Sequence, residues 1–523
     1  MQTVDILIGF ISFTLLTWLL AGPTPFTVMK RGETVSLVVI YLVLILVSIE
    51  FLSLICWFIF QLFPILSEEG ILRYLVDLET KMFLLTGCLA PLITIIFLFS
   101  WIVKFFAHYG LLKRFYTLFT PDIKRFNDVC LAEISIHYLL VFPVVFSLLV
   151  TFYPYLPGLN TDMHPIGVDV PLYKGWLEGL ENEELLNVFT KSFFEHPGRP
   201  LSLFIMYLVK CMGGFSALVV VQFFPIILSP VLVLSVYFFM HRAGVFNGVS
   251  FFAAFLSVSS FHVSVGMYAG FLSNWMALIE LYLFAGFFFG FLKRKSYLRI
   301  IAALLLSIAL LFTHSWTWGM FMGILMVYLL LIYIKSKPLR WELSLESRIL
   351  FAIIGINVLV GIIRNYALGW TAGDFETLKV ARAMVSSSSL TSFWGDTLYT
   401  FFHTMYGFFV NPIALLLAVL GSAVIIFDEK PVNRYLISWL MCSSIFFVLS
   451  SGWSVKSRIL FNLPLPVFEA VGLAVVGDMI QKVFRTNKGV LIKNLVTLFV
   501  LLVSLNYAFR CSFAMSQLTY DLF

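Results

Sequence analysis

Long apolar runs recur along this chain, and each is close to the length that a helix needs to cross a membrane. The hydrocarbon core of a bilayer takes about 20 apolar residues per helix. The runs therefore predict an all-α, polytopic helical membrane protein with about 14 transmembrane helices. The expected spans are 4–22, 35–63, 82–107, 130–152, 215–240, 247–263, 268–292, 298–313, 316–334, 349–363, 399–426, 434–451, 459–481 and 489–510.

The composition excludes other classes of protein. Hydrophobic residues make up 61% of the 523 residues and charged residues only 12%, about half of the globular average. The 57 Phe residues would cause aggregation unless lipid or protein covered them. A disordered chain, a disulfide scaffold and a transmembrane barrel with alternating strands are excluded.

The charged residues predict an orientation, because Lys and Arg collect in cytoplasmic loops. With the N-terminus outside, most of the 34 basic residues fall in inner loops and most of the 28 acidic residues fall in outer loops. The net charge of +6 then reflects topology and predicts no nucleic-acid partner. We expect an integral protein of a prokaryotic plasma membrane whose first span is retained, since it lacks the features of a signal peptide.

Two predicted outer loops are long enough to carry a site, and they cover 153–200 and 364–398. The inner loops contain no Walker-type phosphate loop or other nucleotide motif, which disfavours an ATP-driven pump. A short apolar segment, Leu201 to Gly213, follows Arg199 and Pro200 and predicts an interfacial or re-entrant helix. We therefore expect the chemistry on the outer face.

The first long loop carries acidic residues close to the membrane. Asp162, His164 and Asp169 precede an amphipathic segment that contains Tyr173. A carboxylate beside aromatic rings at a membrane surface suits a general base that deprotonates a sugar or lipid hydroxyl. The alternative is that Asp162 caps a turn and Asp169 caps the helix predicted over 171–180.

Few cations are predicted on the outer face, so each is a candidate ligand for a phosphate. Arg458 lies where the predicted span 459–481 begins, Lys456 lies two residues before it, and Arg364 lies at the outer end of another span. The planar guanidinium of arginine binds phosphate oxygens through paired hydrogen bonds. Each residue also fits an interfacial anchor whose stem lies along the membrane.

The tight outer turn between two spans contains His314 and Trp316. A histidine there can hydrogen-bond a phosphate or a sugar hydroxyl, and Trp316 or Trp318 can stack on a pyranose ring. The alternative is an interfacial aromatic belt with a polar turn. His403 and Tyr399 are weaker candidates at the outer start of the span 399–426.

Together these features resemble the GT-C superfamily of integral-membrane glycosyltransferases. The likeness covers roughly residues 130 to 480 and lies in Gly167-x-Asp169-x-x-x-Tyr173, the helix after Arg199-Pro200, His314 at a hairpin tip and Arg458 at a late span. It implies three parts of the chain. These are an N-terminal membrane segment of three spans with a basic linker (1–128), a catalytic membrane core (129–485), and a C-terminal span with a short outer tail (486–523).

The resemblance implies an inverting glycosyltransferase that moves a hexose or pentose from a polyprenyl-phosphate carrier to a glycan, lipid or protein acceptor. It implies Asp169, or else Asp162, as the catalytic base. The substrate-binding residues that it implies are Arg458, Lys456, His314, Arg364, Tyr173, Arg199, His164 and Trp316. The transfer needs no cofactor, and the only metal site that these residues suggest is a divalent ion at Asp162, His164 and Asp169.

Three glutamates within predicted spans favour a different class of protein. Glu50, Glu280 and Glu469 each lie near the middle of a span, where ionisable groups often mark ion or proton pathways. The alternative function is therefore a proton-coupled transporter or a flippase for lipid-linked sugars. Two observations oppose it, since no inverted repeat is evident and the long polar loops lie on one side only. A protonated, hydrogen-bonded contact between helices would also explain such glutamates.

Overall fold

The computed structural model describes residues 136–161, 164–181, 183–335, 344–369, 411–427, 430–449, 453–483 and 487–516, with the single positions 40, 43 and 47. Across these residues the chain is helical and forms no strand, so the all-α prediction is confirmed for this part. The first three predicted spans lie almost wholly outside the described residues. The total of about 14 helices therefore stays a prediction.

The described helices follow one another with short connections. They are α1 (Ile136–Leu139), α2 (Val141–Phe152), α3 (Val170–Glu178), α4 (Leu185–Glu195), α5 (Pro200–Gly213), α6 (Ala217–Ala243), α7 (Asn247–Val258), α8 (Phe261–Ala269), α9 (Leu272–Lys293), α10 (Tyr297–Thr313), α11 (Ser315–Lys335), α12 (Leu345–Ala367), α13 (Pro412–Phe427), α14 (Pro431–Leu449), α15 (Trp453–Phe461), α16 (Leu465–Val483) and α17 (Asn487–Ser516).

Within the described residues, 6 spans are long and apolar enough to cross a membrane. They are α6, the pair α7 and α8 together, α9, α11, α12 and most of α17. The helices α15 and α16 form a seventh if they count as one span, although they meet at an angle of 47°. Apolar helices of this length are typical of an integral membrane protein.

The helices α6, α9 and α16 lie at the centre of the described bundle. Helix α6 packs against α2, α7 and α9, while α16 packs against α7, α13 and α17. At the crossing of α13 and α16, a Cβ at Gly421 would collide with the carbonyl oxygen of Phe468, and one at Gly472 with that of Leu417. Only glycine fits at both positions, so these two helices pack backbone against backbone.

The two ends of helix α9 define two ends of the bundle. Near its last turn, Arg242 and Arg299 lie beside Gly290, and Arg299 Nη1 donates a hydrogen bond of 2.6 Å to the Gly290 carbonyl oxygen. We call this the basic end. The first residue of α9 is Leu272, and we call its end the Asp169 end because the backbone of Asp169 contacts the residues just before it.

The boundary between α8 and α9 differs from the sequence prediction. The break expected between residues 263 and 268 was wrong, because α8 continues to Ala269. Gly270, at a φ of 70°, ends the helix there in the left-handed conformation that glycine tolerates. The predicted helix 171–180 is present as Val170–Glu178, and the segment after Arg199 forms the 14-residue helix α5.

Candidate functional site

The corner between α8 and α9, which comprises residues 269–274, holds Asp169 in place. The backbone N–H of Asp169 donates a hydrogen bond of 3.0 Å to the carbonyl oxygen of Ala269, the last residue of α8. The approach is close, because a Cβ at Gly270 would lie 3.1 Å from the Asp169 nitrogen. Glycine at this corner therefore serves two needs, the left-handed backbone and the room for the Asp169 loop.

The side chain of Asp169 does not cap the helix that follows it. Asp169 occupies the N-cap position of α3, but its carboxylate accepts no capping hydrogen bond. Instead, Asp169 Oδ2 lies 4.0 Å from Arg458 Nη2, and the two side chains are 20% and 32% exposed. A partly exposed pair at this distance contributes about 1 kcal/mol or less to stability. Both charged groups are therefore available to a ligand at little energetic cost.

Arg458 reaches Asp169 from a bent pair of helices. It lies on α15, and its Cζ is 5.2 Å from the centroid of the Phe271 ring in the α8–α9 corner. The span expected over 459–481 contains a break, because the helix ends at Phe461 and resumes at Leu465. Pro464 lacks the N–H that a continuous helix requires. At the break, the Leu463 carbonyl oxygen accepts a hydrogen bond of 2.8 Å from His262 Nε2.

A second guanidinium group lies beside this pair. Arg199 Nη1 donates a hydrogen bond of 3.0 Å to the Tyr173 hydroxyl, and Arg199 Cζ lies 4.9 Å from the Trp176 ring centroid. The Tyr173 oxygen also accepts a bond of 3.2 Å from the Ser273 N–H and lies 2.7 Å from the Ser273 hydroxyl. Since that oxygen already accepts two hydrogens, its own proton is directed to the Ser273 hydroxyl.

His314 belongs to a buried network of neutral polar groups. Its Nδ1 lies 2.8 Å from the Thr317 hydroxyl, which donates a bond of 2.6 Å to Asn274 Oδ1 and accepts one of 3.3 Å from Asn462 Nδ2. His314, Asn274 and Asn462 are all buried. Three helices and the α15–α16 break therefore meet at the Thr317 hydroxyl.

The electrostatics of the site favour an anion. Burial raises the pKa of the Asp169 carboxyl above its ordinary value, and the guanidinium groups of Arg458 and Arg199 act in the opposite direction. Burial, assisted by the same two arginines, holds the pKa of His314 well below its ordinary value, so this imidazole is neutral at pH 7. With Asp169 ionised, two guanidinium charges face one carboxylate, which leaves one positive charge in excess.

Two predicted ligands lie apart from this cluster. Lys456 is fully buried, donates a hydrogen bond of 3.2 Å to the Phe447 carbonyl oxygen and lies 4.6 Å from the centroid of the Phe447 ring. Arg364 is buried and donates through Nη2 to the Pro197 carbonyl oxygen, in the connection from α4 to α5. Arg364 therefore supports the backbone segment that ends at Arg199.

The remaining predicted residues are more scattered. His164 lies in a turn, where its backbone N–H donates a bond of 3.1 Å to Asn160 Oδ1. Trp316 is exposed, as the aromatic-belt alternative requires, and Trp318 donates through Nε1 to Asn357 Oδ1 at 3.1 Å. Asp162, Tyr399 and His403 lie outside the described residues. In the described part of the chain, no three His, Cys, Asp or Glu residues form a group that could hold a metal ion.

The predicted intramembrane glutamates lie in different surroundings. Glu280 accepts a hydrogen bond of 2.7 Å from the hydroxyl of Thr313, the residue before His314. Glu469 is 3% exposed, and its Oε2 has no hydrogen-bond partner among the described residues. Glu50 lies outside the described residues.

Several residues of the site were missed in the sequence, and they share one signal. Each is a polar or aromatic residue near the head of an apolar run, and they are Phe271, Ser273, Asn274, Thr317 and Asn462. The first three belong to the α8–α9 corner, which therefore contacts every part of the cluster.

A scan against protein-family models and a search of curated proteins found no match to the chain.

Proposed function

We propose that the protein is a membrane-embedded inverting glycosyltransferase. It moves a sugar from a polyprenyl-phosphate carrier to an acceptor hydroxyl at the Asp169 end of the bundle, on the outer face of the membrane. The observation that carries this proposal is the carboxylate of Asp169 beside the guanidinium of Arg458, 4.0 Å away, with Arg199 also within electrostatic reach. A donor with an apolar tail and an anionic head suits a cationic site on an apolar bundle.

In this reaction Asp169 is the general base. Its carboxylate takes the proton of the acceptor hydroxyl, and the acceptor oxygen forms a bond to the anomeric carbon of the donor sugar. The bond between that carbon and the phosphate oxygen breaks, and the lipid phosphate leaves with the electron pair. Because attack and departure are on opposite faces, the anomeric configuration inverts. Burial raises the pKa of Asp169, which makes it a stronger base than an ordinary aspartate.

The arginines stabilise the charge that develops on the leaving phosphate. Arg458 is the principal ligand, since it lies next to the base, and Arg199 adds a second positive charge. Fixed cations in a partly buried site stabilise such a charge more strongly than water does, because they need no reorientation during the reaction. The neutral network of His314, Asn274 and Asn462 offers hydrogen bonds to sugar hydroxyls without competing for the phosphate.

The test uses the full-length protein in lipid nanodiscs. Radiolabelled polyprenyl-phosphate mannose, glucose and arabinose are the donor probes, and a membrane glycolipid extract and a soluble oligosaccharide are the acceptors. We expect transfer by Asp169→Asn to fall by about a hundredfold or more. Its binding of polyprenyl phosphate should be no weaker than in the wild type, because the substitution removes a charge that repels the phosphate.

The matched control is Glu178→Gln on the same helix, where Glu178 pairs with Lys174 on the surface at 3.6 Å. This variant should transfer at the wild-type rate. Full transfer by Asp169→Asn would show that Asp169 is not the base. Failure of the wild-type protein to bind polyprenyl phosphate would exclude this class of donor.

A further inference from the structure

A second polar cluster lies in the interior of the bundle, between α9, α14 and α16. Tyr282, Tyr435, Trp439 and Glu469 are each at most 3% exposed. Their polar atoms Tyr282 Oη, Tyr435 Oη, Trp439 Nε1 and Glu469 Oε2 have no hydrogen-bond partner among the described residues. We call these four residues the tyrosine–glutamate cluster.

The members of this cluster face one another. The Trp439 ring centroid lies 5.6 Å from that of Tyr282 and 5.9 Å from that of Tyr435. The Tyr282 hydroxyl is within electrostatic reach of both Glu469 and Tyr435. The polar atoms of three helices thus share one region of an otherwise apolar core.

The cluster continues towards the basic end through a third tyrosine. The rings of Tyr435 and Tyr328 meet edge to face with centroids 5.7 Å apart. The Tyr328 hydroxyl donates a hydrogen bond to the carboxylate of Glu346 in the first turn of α12, and it is within electrostatic reach of Arg434. Glu346 is only partly buried, so its carboxylate is within reach of solvent. The oxygen atoms of Glu346, Tyr328, Tyr435 and Tyr282 therefore form a series that leads from the basic end to Glu469.

Polar atoms that are buried without hydrogen-bond partners destabilise the folded protein. Each buried polar group without a partner costs about 1–3 kcal/mol, and at membrane depth an ionised carboxylate costs more. Native proteins satisfy grouped polar atoms of this kind with water. Hydroxyl groups and a carboxyl group that water connects can pass a proton along the series.

Few other titratable groups surround Glu469. Tyr282 of α9 is within electrostatic reach of Glu469, and Tyr435 of α14 is within reach of Tyr282. The described residues of α7 and α13 contain no titratable side chain. Lys493 of α17 interacts with Asp478, more than two turns of α16 further towards the basic end. Among the side chains that the structure describes, the remaining charged groups of the helices packed against α16 lie towards helix ends, and they are His241 and Arg242 of α6 and Arg510 of α17.

We propose that Glu469 is an intramembrane protonation site that exchanges protons with the basic end through Tyr282, Tyr435 and Tyr328. Glu346 is the entry point. Each phenol accepts a proton on its oxygen and releases its own, so the tyrosines are unchanged after each transfer. One O–H bond breaks at Glu346 and one forms at Glu469, and water at the basic end supplies the next proton. This site is independent of the proposed sugar transfer.

Infrared spectroscopy of the full-length protein in nanodiscs tests the proposal. A protonated carboxyl group has a C=O band that shifts when its hydrogen is replaced by deuterium. We expect one such band to be missing in Glu469→Gln. After a switch from H₂O to D₂O, Tyr282→Phe, Tyr435→Phe and Glu346→Gln should each slow the shift of that band at least tenfold.

The control is Tyr237→Phe, which alters a buried tyrosine of α6 outside the cluster and should leave the exchange rate unchanged. The tyrosine variants keep the ring, so they test the pathway even where Glu469→Gln fails to fold. Exchange at the wild-type rate in both Tyr282→Phe and Tyr435→Phe would overturn the proposal. A band that responds to Na⁺ but not to pH would overturn it in favour of a metal-cation site.

Discussion

Asp169 and Arg458 meet across the α8–α9 corner, with 4.0 Å between Oδ2 of the aspartate and Nη2 of the arginine. Each residue is fixed to the corner separately. Asp169 is bound through its backbone to Ala269, and Arg458 stacks over the ring of Phe271. The distance between the two charged groups is therefore set by the corner and not by the ion pair. Each residue can be substituted without displacing the other, so their roles can be tested separately.

Arg458 is expected to bind the donor phosphate. Arg458→Gln should weaken the binding of polyprenyl phosphate about tenfold to a hundredfold, since hydrogen bonds to charged groups are worth about 1.5–3 kcal/mol. Arg458→Lys keeps the charge but loses the paired donors. Its affinity for polyprenyl phosphate should therefore lie between that of the wild type and that of Arg458→Gln. The measurement is titration of labelled polyprenyl phosphate into nanodiscs, with exposed Arg294 at the basic end changed to Gln as the control. Equal affinity in all four proteins would contradict the assignment.

The pH profile of sugar transfer should reflect the ionisation of the Asp169 carboxyl group. The base works as the carboxylate, so kcat/KM falls as the pH drops through the pKa of Asp169. Arg199 lowers that pKa, and its removal in Arg199→Gln should therefore move the acidic limb of the profile to higher pH. Lys174→Gln removes a partly exposed cation of α3, the helix that follows Asp169, and should leave the limb where it is. A shift to lower pH in Arg199→Gln would show that a different group is being titrated.

Gly270 is expected to be essential for the position of Asp169. An alanine there must adopt a φ of 70°, which costs about 1–2 kcal/mol, and its Cβ would lie 3.1 Å from the Asp169 nitrogen. Gly270→Ala should lower both thermal stability and transfer. Gly355→Ala on α12 is the comparison, because no atom lies within 4 Å of its added Cβ and alanine is favoured in a helix. If the two variants behaved alike, the corner would not need glycine.

The Thr317 hydroxyl is expected to be important for sugar transfer. Thr317→Val keeps the shape but removes the oxygen that joins His314, Asn274 and Asn462. Each hydrogen bond is worth about 0.5–1.5 kcal/mol, so we expect transfer to fall about tenfold with little change in phosphate binding. Thr190→Val, at an exposed position of α4, provides the comparison. Equal transfer by the two variants would place the network outside the reaction.

The sequence predicted the class of fold and part of the site for different physical reasons. Apolar runs of membrane length are a strong signal because lipid leaves the backbone almost no alternative to a helix. Asp169 stood out because it precedes an amphipathic segment in a long outer loop, and His314 because it lies in a tight outer turn. Arg458 stood out because few cations are predicted on the outer face. The structure brings Asp169 and Arg458 together and places both Arg199 and Arg458 within electrostatic reach of His314.

Other features depend on contacts that no local pattern contains. Lys456 and Arg458 are two residues apart and look alike in sequence, yet one is buried against Phe447 and the other faces Asp169. The bend before Leu465 had a local signal in Pro464 and Pro466, but its partner His262 comes from α8. The α8–α9 corner looked like an ordinary interval between spans, because its role is visible only once α3, α11 and α15 surround it.

The corner also determines how this site can vary. Asp169 and Tyr173 belong to α3 and its N-cap, Arg458 to α15 and Thr317 to α11, and each of the four contacts a different residue of the short stretch from Ala269 to Asn274. A change in the backbone of that stretch disturbs several contacts at once, whereas a substitution at one of the four surrounding residues alters one contact alone. Diversification of such a protein is therefore expected to spare the corner and to proceed through the segments around it, one at a time.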